Sequence, residues 1–231
     1  MNLLHFSDCH GRVPTWMEGT EHDLVVCSGD LLPDRYPRKV ERERLNLPYS
    51  MPGSPAFQEQ WLRTQRQRFT DLVRGKPFLF CPGNHDFFDP VPVLREWGIE
   101  AYNLSGKVVE VAGWKFYGFP FIPWAGGAWN YEVKPPAMHA KMMAMLELLY
   151  DEAFDVLVAH CPPFGVLDIA KDTQRYGNMM MWNAFKAEDA KRPHLYLCGH
   201  IHASKGMSTV GDMPVSNAAT TKHVLILPDR S

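Results

Sequence analysis

The stretch Leu3-Leu4-His5-Phe6-Ser7-Asp8-Cys9-His10 carries the pattern on which the fold prediction depends. A short, mainly apolar run ends directly in the polar motif Asp8-Cys9-His10. The run is continuous rather than alternating, which is typical of a strand that is covered on both faces. We therefore predict a buried strand whose last residues present polar side chains at its end.

The same pattern recurs four more times along the chain. The apolar runs lie at 23–28, 77–81, 155–159 and 195–198, and they end respectively in Gly29-Asp30, Gly83-Asn84-His85-Asp86, His160-Cys161-Pro162-Pro163 and Gly199-His200-Ile201-His202. A hairpin is predicted at 108–119, closing strands at 215–218 and 223–227, and helices at 57–74, 91–97, 136–150 and 183–191. Strands that alternate with helices indicate an α/β fold.

Length and composition fit one globular domain over residues 1–231. Apolar residues make up 45% of the chain and charged residues 22%, which is ordinary for a folded protein. The net charge of −2 gives no global attraction to nucleic acid, although a local basic patch stays open. No apolar run reaches the roughly 20 residues of a membrane span, and the first residues lack a signal peptide, so we expect a cytoplasmic protein without a membrane partner.

The five cysteines are an odd number in no disulfide framework. All of them lie in or near the polar motifs, so they are either thiolate metal ligands or small apolar residues near strand ends. Paired thiolate spacing is missing, which favours the apolar role.

A proline- and arginine-rich stretch occupies about residues 31–56 and is predicted to be a long surface loop beside the second motif. Long loops beside a site are often lids, but a solvated insertion fits the composition equally well. The sequence leaves both alternatives open.

Five polar strand ends predict a single site. Ligands of open α/β sheets bind at the carboxyl ends of the strands, so these motifs are expected to converge. Seven candidate metal ligands are too many for one catalytic zinc ion and fit two divalent ions that share a bridging group. Asp30 is the natural bridge, because a carboxylate has an oxygen for each ion. The candidate ligands are Asp8, His10, Asp30, Asn84, His160, His200 and His202. We expect Mn²⁺ first, with Fe, Zn²⁺, Ni²⁺ or Co²⁺ as alternatives.

In these motifs the chain resembles the calcineurin-like metallophosphoesterase superfamily, whose pattern is D-x-H, G-D, G-N-H-[DE], H and G-H-x-H in this order. The resemblance spans residues 3 to about 227. It implies a four-layer sandwich of two mixed β-sheets flanked by helices. It also implies that Asp8, His10, Asp30 and His202 hold one ion and that Asp30, Asn84, His160 and His200 hold the other.

The resemblance further implies a reaction. A hydroxide bridging the two ions would attack phosphorus, His85 would protonate the leaving oxygen, and Asp86 would orient His85. The stretch 156–168 is similar to the MPPED-like branch, which implies a phosphodiesterase acting on small phosphate esters, with cyclic nucleotides among the candidates. Two positions differ from that branch, because Cys9 stands where Thr is usual and Asp86 where Glu is usual.

Several alternatives stay open. A phosphomonoesterase or protein phosphatase is one, although the residues after Asp30 lack the Arg-Gly pair of those relatives. A nuclease is another, kept open by the arginines of 35–44. A scaffold on a retired phosphoesterase fold is the third. The oligomeric state is not predicted.

Overall fold

The computed structural model describes residues 1–13, 19–34, 54–127 and 129–230. Its strands are β1 (Asn2–Phe6), β2 (Leu24–Cys27), β3 (Phe78–Phe80), β4 (Ala101–Asn103), β5 (Val108–Val111), β6 (Trp114–Phe119), β7 (Ile122–Pro123), β8 (Glu132–Val133), β9 (Val156–Ala159), β10 (Leu195–Cys198), β11 (Gly206–Val210), β12 (Met213–Asn217) and β13 (Lys222–Ile226). Its helices are α1 (Pro55–Arg63), α2 (Arg66–Val73), α3 (Val91–Glu96), α4 (Pro135–Tyr150) and α5 (Met179–Phe185). A single 3₁₀ turn spans His202–Ser204 in this part of the chain.

Two large mixed sheets form the centre of the fold. The first has the order β13-β1-β2-β3-β4, and all its neighbours are parallel except β13 and β1. The second has the order β11-β12-β10-β9-β6-β5, with an antiparallel pair at each edge and parallel pairs between. This confirms the predicted mixed α/β fold, including the hairpin of β5 and β6.

Three hydrophobic clusters separate four layers. One lies between α1–α3 and the first sheet, one between the second sheet and α4–α5, and one between the two sheets. In β2, for example, Val25 and Cys27 pack with the helices, whereas Leu24 and Val26 pack with the opposite sheet. Both faces of the strand are therefore buried, which explains its continuous apolar run. The arrangement confirms the predicted four-layer sandwich.

The helix predictions need two corrections. The stretch 57–74 contains two helices rather than one, because the Thr64 hydroxyl donates to the carbonyl of Trp61 and the chain turns before α2 begins. The helix predicted at 183–191 is α5, which begins four residues earlier and already ends at Phe185, so residues 186–191 are not helical. Asn178 caps it, because its side-chain oxygen accepts the amide protons of Met180 and Met181.

The structure describes only the two ends of the stretch 31–56 that was predicted to be a loop, because residues 35–53 lie outside the described part of the chain. Its first residues are not at the surface, since Leu31, Leu32 and Pro33 are buried next to the first sheet. Its last residues already belong to α1, which Ser54 caps by accepting the amide proton of Phe57. None of the described helices has the length and apolar character that crossing a bilayer requires.

Candidate metal centre

The seven predicted ligands lie at the carboxyl ends of five strands. Asp8, His10, Asp30 and Asn84 follow β1, β2 and β3 of the first sheet, and His160, His200 and His202 follow β9 and β10 of the second. The two sheets meet at this edge, so the ligands face one another across the gap between them. The buried contact from His160 Nδ1 to the carbonyl of Ser28, 2.8 Å long, joins the two sides.

One oxygen of Asp30 lies at the middle of the cluster. Its Oδ2 atom is 3.2 Å from Nε2 of His160 and 3.9 Å from Nε2 of His10. His160 Nε2 is in turn 3.0 Å from Oδ1 of Asn84. Asp30, His160 and His200 each offer a ligand atom, and those three atoms lie within 4.8 Å of one another. This half of the cluster brings together the four residues that the resemblance assigns to one ion.

A second group of ligand atoms lies beside it. Asp8 Oδ1 is 2.9 Å from Nε2 of His202 and 4.0 Å from Nε2 of His10. The two imidazole nitrogens of His10 and His202 are 3.4 Å apart. Two nitrogens held about 2.1 Å from one ion in a tetrahedral arrangement are about 3.4 Å apart, so this spacing suits a shared ion.

Backbone amides fix both carboxylates. Asp8 Oδ2 accepts the amide proton of His200 at 2.9 Å, and Asp30 Oδ1 accepts that of His85 at 2.8 Å. Each carboxylate is therefore held by a loop other than its own, with its second oxygen left facing the histidines. These hydrogen bonds orient each carboxylate before an ion binds.

The backbone is strained at the ligands. Asp8, His10, Asp30 and His200 all have positive φ angles, between 45° and 68°. Non-glycine residues rarely adopt this conformation, and it costs of order 1–3 kcal/mol at each position. Four of the seven candidate ligands share this conformation, so contacts with the surrounding structure must hold them in it.

Glycines allow the loops to approach one another. A Cβ atom at Gly83 would collide with the side chains of Asp30 and His160, and one at Gly199 would collide with those of Ser7 and Asp8. The glycines of the Gly-Asn and Gly-His motifs are therefore required by the closeness of the ligands themselves.

The charges in the cluster require compensation. Burial alone would raise the pKa of Asp8, but the hydrogen bond with His202 and the neighbouring histidines hold it below its usual value. Asp30 is likewise buried, and His160 keeps its pKa below the usual value. Burial would lower the pKa of His160, but Asp30 raises it to about 9. Two buried carboxylates in a ring of imidazoles are costly without bound cations.

The donor set fits a pair of divalent ions. It contains four imidazoles, two carboxylates and one amide oxygen, which suits borderline cations such as Mn²⁺, Fe and Zn²⁺. The five cysteines are buried and free, and burial raises the pKa of the Cys9 and Cys161 thiols. The prediction that the cysteines are small buried residues is therefore confirmed.

His85 and Asp86 lie at the edge of the cluster, and the contacts of Asp86 differ from those expected. Asp86 does not contact the His85 ring. Its Oδ2 accepts the amide protons of Asp30 and Gly83, and its Oδ1 accepts that of Leu32. The pKa of Asp86 is raised to about 7, mainly by burial and secondly by the negative charge of Asp30. Asp86 therefore ties the second motif to the third, because three backbone donors use both of its oxygens.

The carboxylate beside the His85 imidazole belongs to Asp34. Asp34 Oδ2 is 2.6 Å from His85 Nδ1, and His85 Nε2 is 3.9 Å from Asp30 Oδ2. The ring thus presents Nε2 toward the candidate metal bridge and Nδ1 toward Asp34. Asp34 was not among the predicted site residues, because it lies in the stretch predicted to be a surface loop.

Two further residues were missed. The buried Gln58 of α1 donates to the carbonyls of Pro33 and His85, at 3.1 and 2.7 Å, and accepts the amide proton of Phe87. Trp129, in the β7–β8 loop, stacks obliquely on His85 with ring centroids 4.0 Å apart. No local sequence pattern marks Gln58 or Trp129. Asp34 could have been found, because it lies four positions after Asp30 of the Gly-Asp motif.

A separate concavity lies at the opposite edge of the first sheet. It is lined by residues at the beginnings of strands, among them Met1, Asp23 and Glu100. Ligands of such sheets bind at the carboxyl ends of the strands. The candidate centre therefore lies at the ligand-binding edge, away from this concavity.

Comparisons with known proteins agree with this geometry. The calcineurin-like phosphoesterase family model matches residues 1–204. Metallophosphoesterase domain-containing protein 1 of Homo sapiens and its Mus musculus counterpart are each 33% identical to the chain over 223 residues. The match covers 92% of this chain and 64% of each relative, so the chain spans less than two thirds of their length.

Solved structures share the fold at low sequence identity. The protein TT1561 of Thermus thermophilus has a TM-score of 0.57 at 15% identity, covering 94% of this chain and 88% of that one. A Staphylococcus aureus structure described as a candidate 5'-nucleotidase in complex with alpha-ketoglutarate has a TM-score of 0.52 at 13% identity. It covers 96% of this chain and 50% of that one. With the family match over most of its length and the ligand cluster in place, the chain belongs to the calcineurin-like phosphoesterase family.

Proposed function

We propose that the chain is a dinuclear metal-dependent phosphodiesterase that hydrolyses small phosphate esters, with nucleotides among the candidates. The observation that carries this proposal is the convergence of seven ligand side chains from five strand ends in two adjoining groups, with the Asp30 carboxylate close to His160 of one group and His10 of the other. When bound, two divalent ions would supply a nucleophilic hydroxide at neutral pH and stabilise the charge that develops on the phosphoryl group.

The proposed ligand sets follow the two halves of the cluster. Asp8, His10 and His202 would hold one ion, Asn84, His160 and His200 would hold the other, and both would share Asp30. Asp30 would be the shared ligand, and the hydrogen bond from the His85 amide to its Oδ1 orients the carboxylate within the cluster.

His85 is the proposed general acid. Its Nε2 faces the centre from outside both ligand sets, so it is free to donate a proton to the leaving oxygen. Asp34 holds the opposite nitrogen and so fixes the orientation of the ring. In this proposal Asp34 is the positioning residue for His85, and Asp86 supports the loops beneath it.

Diester hydrolysis is preferred over the alternatives for two reasons. The stretch 156–168 is similar to the MPPED-like branch, which implies phosphodiester substrates. The residues after Asp30 read Leu31-Leu32-Pro33-Asp34, without the Arg-Gly pair of monoesterase relatives. A nuclease is disfavoured by the net charge of −2.

Hydrolysis assays test the proposal directly. Bis-p-nitrophenyl phosphate, p-nitrophenyl phosphate and cyclic nucleotides are compared with added Mn²⁺, with each alternative ion and with chelator. We expect Mn²⁺-dependent turnover of the diesters that chelator abolishes. Turnover of the monoester alone would favour a phosphomonoesterase. A protein that retains no metal by mass spectrometry after exposure to each ion would be a scaffold.

The roles of His85 and Asp34 have a separate test. We expect both His85→Gln and Asp34→Asn to retain two ions per chain. His85→Gln should slow hydrolysis by about 10²–10⁴-fold, and Asp34→Asn should slow it by a smaller factor. The loss should be greatest for esters with poor leaving groups. Loss of metal in either variant would contradict the assignment.

The cytoplasm is the proposed location. All five cysteines are free thiols. Such thiols persist in a reducing compartment, which supports this choice. Detection of the chain in a fractionated cell, with cytoplasmic and secreted marker proteins beside it, would test it.

A further inference from the structure

A large aromatic side chain is held against the proposed general acid. The indole of Trp129 and the imidazole of His85 have ring centroids 4.0 Å apart at an interplanar angle of 46°. His85 Nε2 is 3.9 Å from Asp30 Oδ2 at the middle of the ligand cluster. Only one ring therefore separates the indole from the candidate centre.

The indole is also open to solvent. Trp129 is 42% exposed, and Trp124, at the start of the same loop, is 47% exposed. Tryptophan is usually highly buried, because its ring has a large apolar surface. An exposed indole beside a polar, highly charged site thus leaves apolar surface in water at the place where a substrate would bind.

The loop that carries Trp129 is fixed to the third motif. The backbone amide of Asn130 donates to the carbonyl of Asn84 at 3.0 Å, and its side-chain amide donates to the carbonyl of Asp86 at 2.8 Å. These bonds place the residue next to Trp129 directly on the loop of a candidate ligand.

The beginning of the loop is anchored as well. Glu132 Oε2 accepts the amide protons of Ala125 and Gly127 at 3.2 and 2.5 Å. Gly127 has a positive φ, and a Cβ atom there would collide with the ring of Trp124. The loop is therefore bonded at both ends, and Trp129 is presented from a supported position.

We propose that Trp129 forms a leaving-group subsite that stacks on a planar aromatic ring carried by the leaving alcohol of the substrate. This inference rests on the proposed function, since proton donation by His85 Nε2 places the leaving oxygen next to the ring that Trp129 contacts. The shared chemistry is a flat π-system close to the leaving oxygen, supplied by a nucleobase or by an aryl group. Stacking suits either, because both have a polarisable face.

A merely structural role for Trp129 makes a different prediction. If the indole only kept His85 in place, its removal would weaken all phosphoryl ligands alike or none. A stacking subsite instead changes the preference between an aromatic ligand and a matched saturated one. The difference between two ligands on one protein therefore separates the two roles.

The experiment uses ligands with a P–C bond, which cannot be hydrolysed, on the Mn²⁺-loaded full chain. Calorimetric titration compares phenylphosphonate with cyclohexylphosphonate, and the phosphonate analogue of AMP with that of ribose 5-phosphate. We expect the aromatic member of at least one pair to bind about tenfold more tightly. The first pair reports an aryl group and the second a nucleobase.

Three variants complete the design. Trp129→Ala should reduce the preference to within about twofold, and Trp129→Phe should retain most of it, because a smaller ring still stacks. Trp124→Ala is the matched control, since this indole lies in the same loop and contacts Lys134 rather than His85. It should keep the full preference.

Three other outcomes would overturn the inference, and they show whether the subsite alone or the proposed function is wrong. Equal binding within both pairs on the unmodified protein removes the subsite but leaves phosphoryl binding, and hence the proposed function, intact. An equal loss for all four ligands in Trp129→Ala assigns the indole to loop support. Failure of every phosphonate to bind a chain that holds two ions contradicts the proposed function itself and the subsite with it.

Discussion

At the scale of residues, the candidate centre is organised by contacts between loops that are distant in sequence. The Asp8 carboxylate is held by the His200 amide and the Asp30 carboxylate by the His85 amide. Each loop therefore supports a ligand of another, so a small change in one loop is passed to the next.

Gly83 gives a direct test of this coupling. We expect Gly83→Ala to reduce the affinity for divalent ions by about 10–100-fold, because a Cβ atom there would displace Asp30 and His160. Metal content after dialysis against defined Mn²⁺ concentrations measures the effect. The control is Gly75→Ala, at an open position after α2, which should cost some stability through its positive φ but leave metal binding unchanged. Equal metal affinity in both variants would contradict the prediction.

His5 gives a test of pH dependence away from the centre. The ring is buried in β1 between the hydroxyls of Ser216 and Ser28, 2.8 and 2.9 Å away, and burial lowers its pKa from 6.5 to about 3. Between these values the unfolded chain binds a proton that the folded chain does not. Stability is therefore lost as the pH falls below about 6.5, at up to about 1.4 kcal/mol per pH unit.

Urea unfolding in chelator from pH 7.5 to pH 4.5 measures this contribution. We expect His5→Gln to unfold with a shallower pH dependence than the unmodified chain, because an amide can bond to both hydroxyls and does not titrate. Parallel pH profiles for the two proteins would show that His5 does not contribute.

At the scale of elements, α1 supports the proposed general acid through one side chain. Gln58 is fully buried and bonds to the backbone of Pro33, His85 and Phe87. It thus joins the residues after the second motif to those of the third.

We expect Gln58→Ala to lower the free energy of unfolding by about 2–3 kcal/mol, because buried backbone groups lose their partners. Turnover should fall as well, since the His85 loop loses its support. Denaturant unfolding and diester hydrolysis measure the two effects. Gln67→Ala, at an exposed position of α2, should change both very little. A similar loss in the two variants would show that the buried hydrogen bonds of Gln58 are not its cause.

The elements also show where sequence patterns are sufficient. Strands buried on both faces were predictable from continuous apolar runs such as the one ending at Cys27. The strand Ala101–Asn103 was not, because it has three residues and no apolar run. The start of α5 was missed because its Asn178 cap precedes three methionines with no amphipathic spacing.

The residues of the candidate site also differ in whether the sequence predicts them. Its seven candidate ligands were identified because each directly follows a strand, and strand ends converge. Asp34, Gln58 and Trp129 were not, because their positions depend on the paths of loops and on helix packing. Their contacts arise only after the chain has folded.

At the scale of the whole molecule, the candidate ligands come from both sheets, so bound ions would join the two halves of the sandwich. Each ion that binds only the folded chain, at 100 times its dissociation constant, adds about 2.7 kcal/mol of stability. We therefore expect chelator to lower the melting temperature by about 5–10 °C for each bound ion.

Thermal unfolding with Mn²⁺ and with chelator tests this expectation. Asp30→Asn is the control, because loss of the shared ligand should make the melting temperature insensitive to chelator. A chelator effect of the same size in that variant would locate the responsible ion elsewhere. The prediction of one domain over residues 1–231 stays a prediction.

The pairing of β1 with β13 places Asn2 opposite Ile226, although nearly the whole chain separates them. Ribosomal synthesis delivers the amino-terminal strand first, so one of its edges has no partner until translation has passed residue 226. An unpaired strand edge is a template for aggregation. Because this pairing closes the first sheet beside the Asp8 loop, we expect that edge of the sheet to be completed late in synthesis.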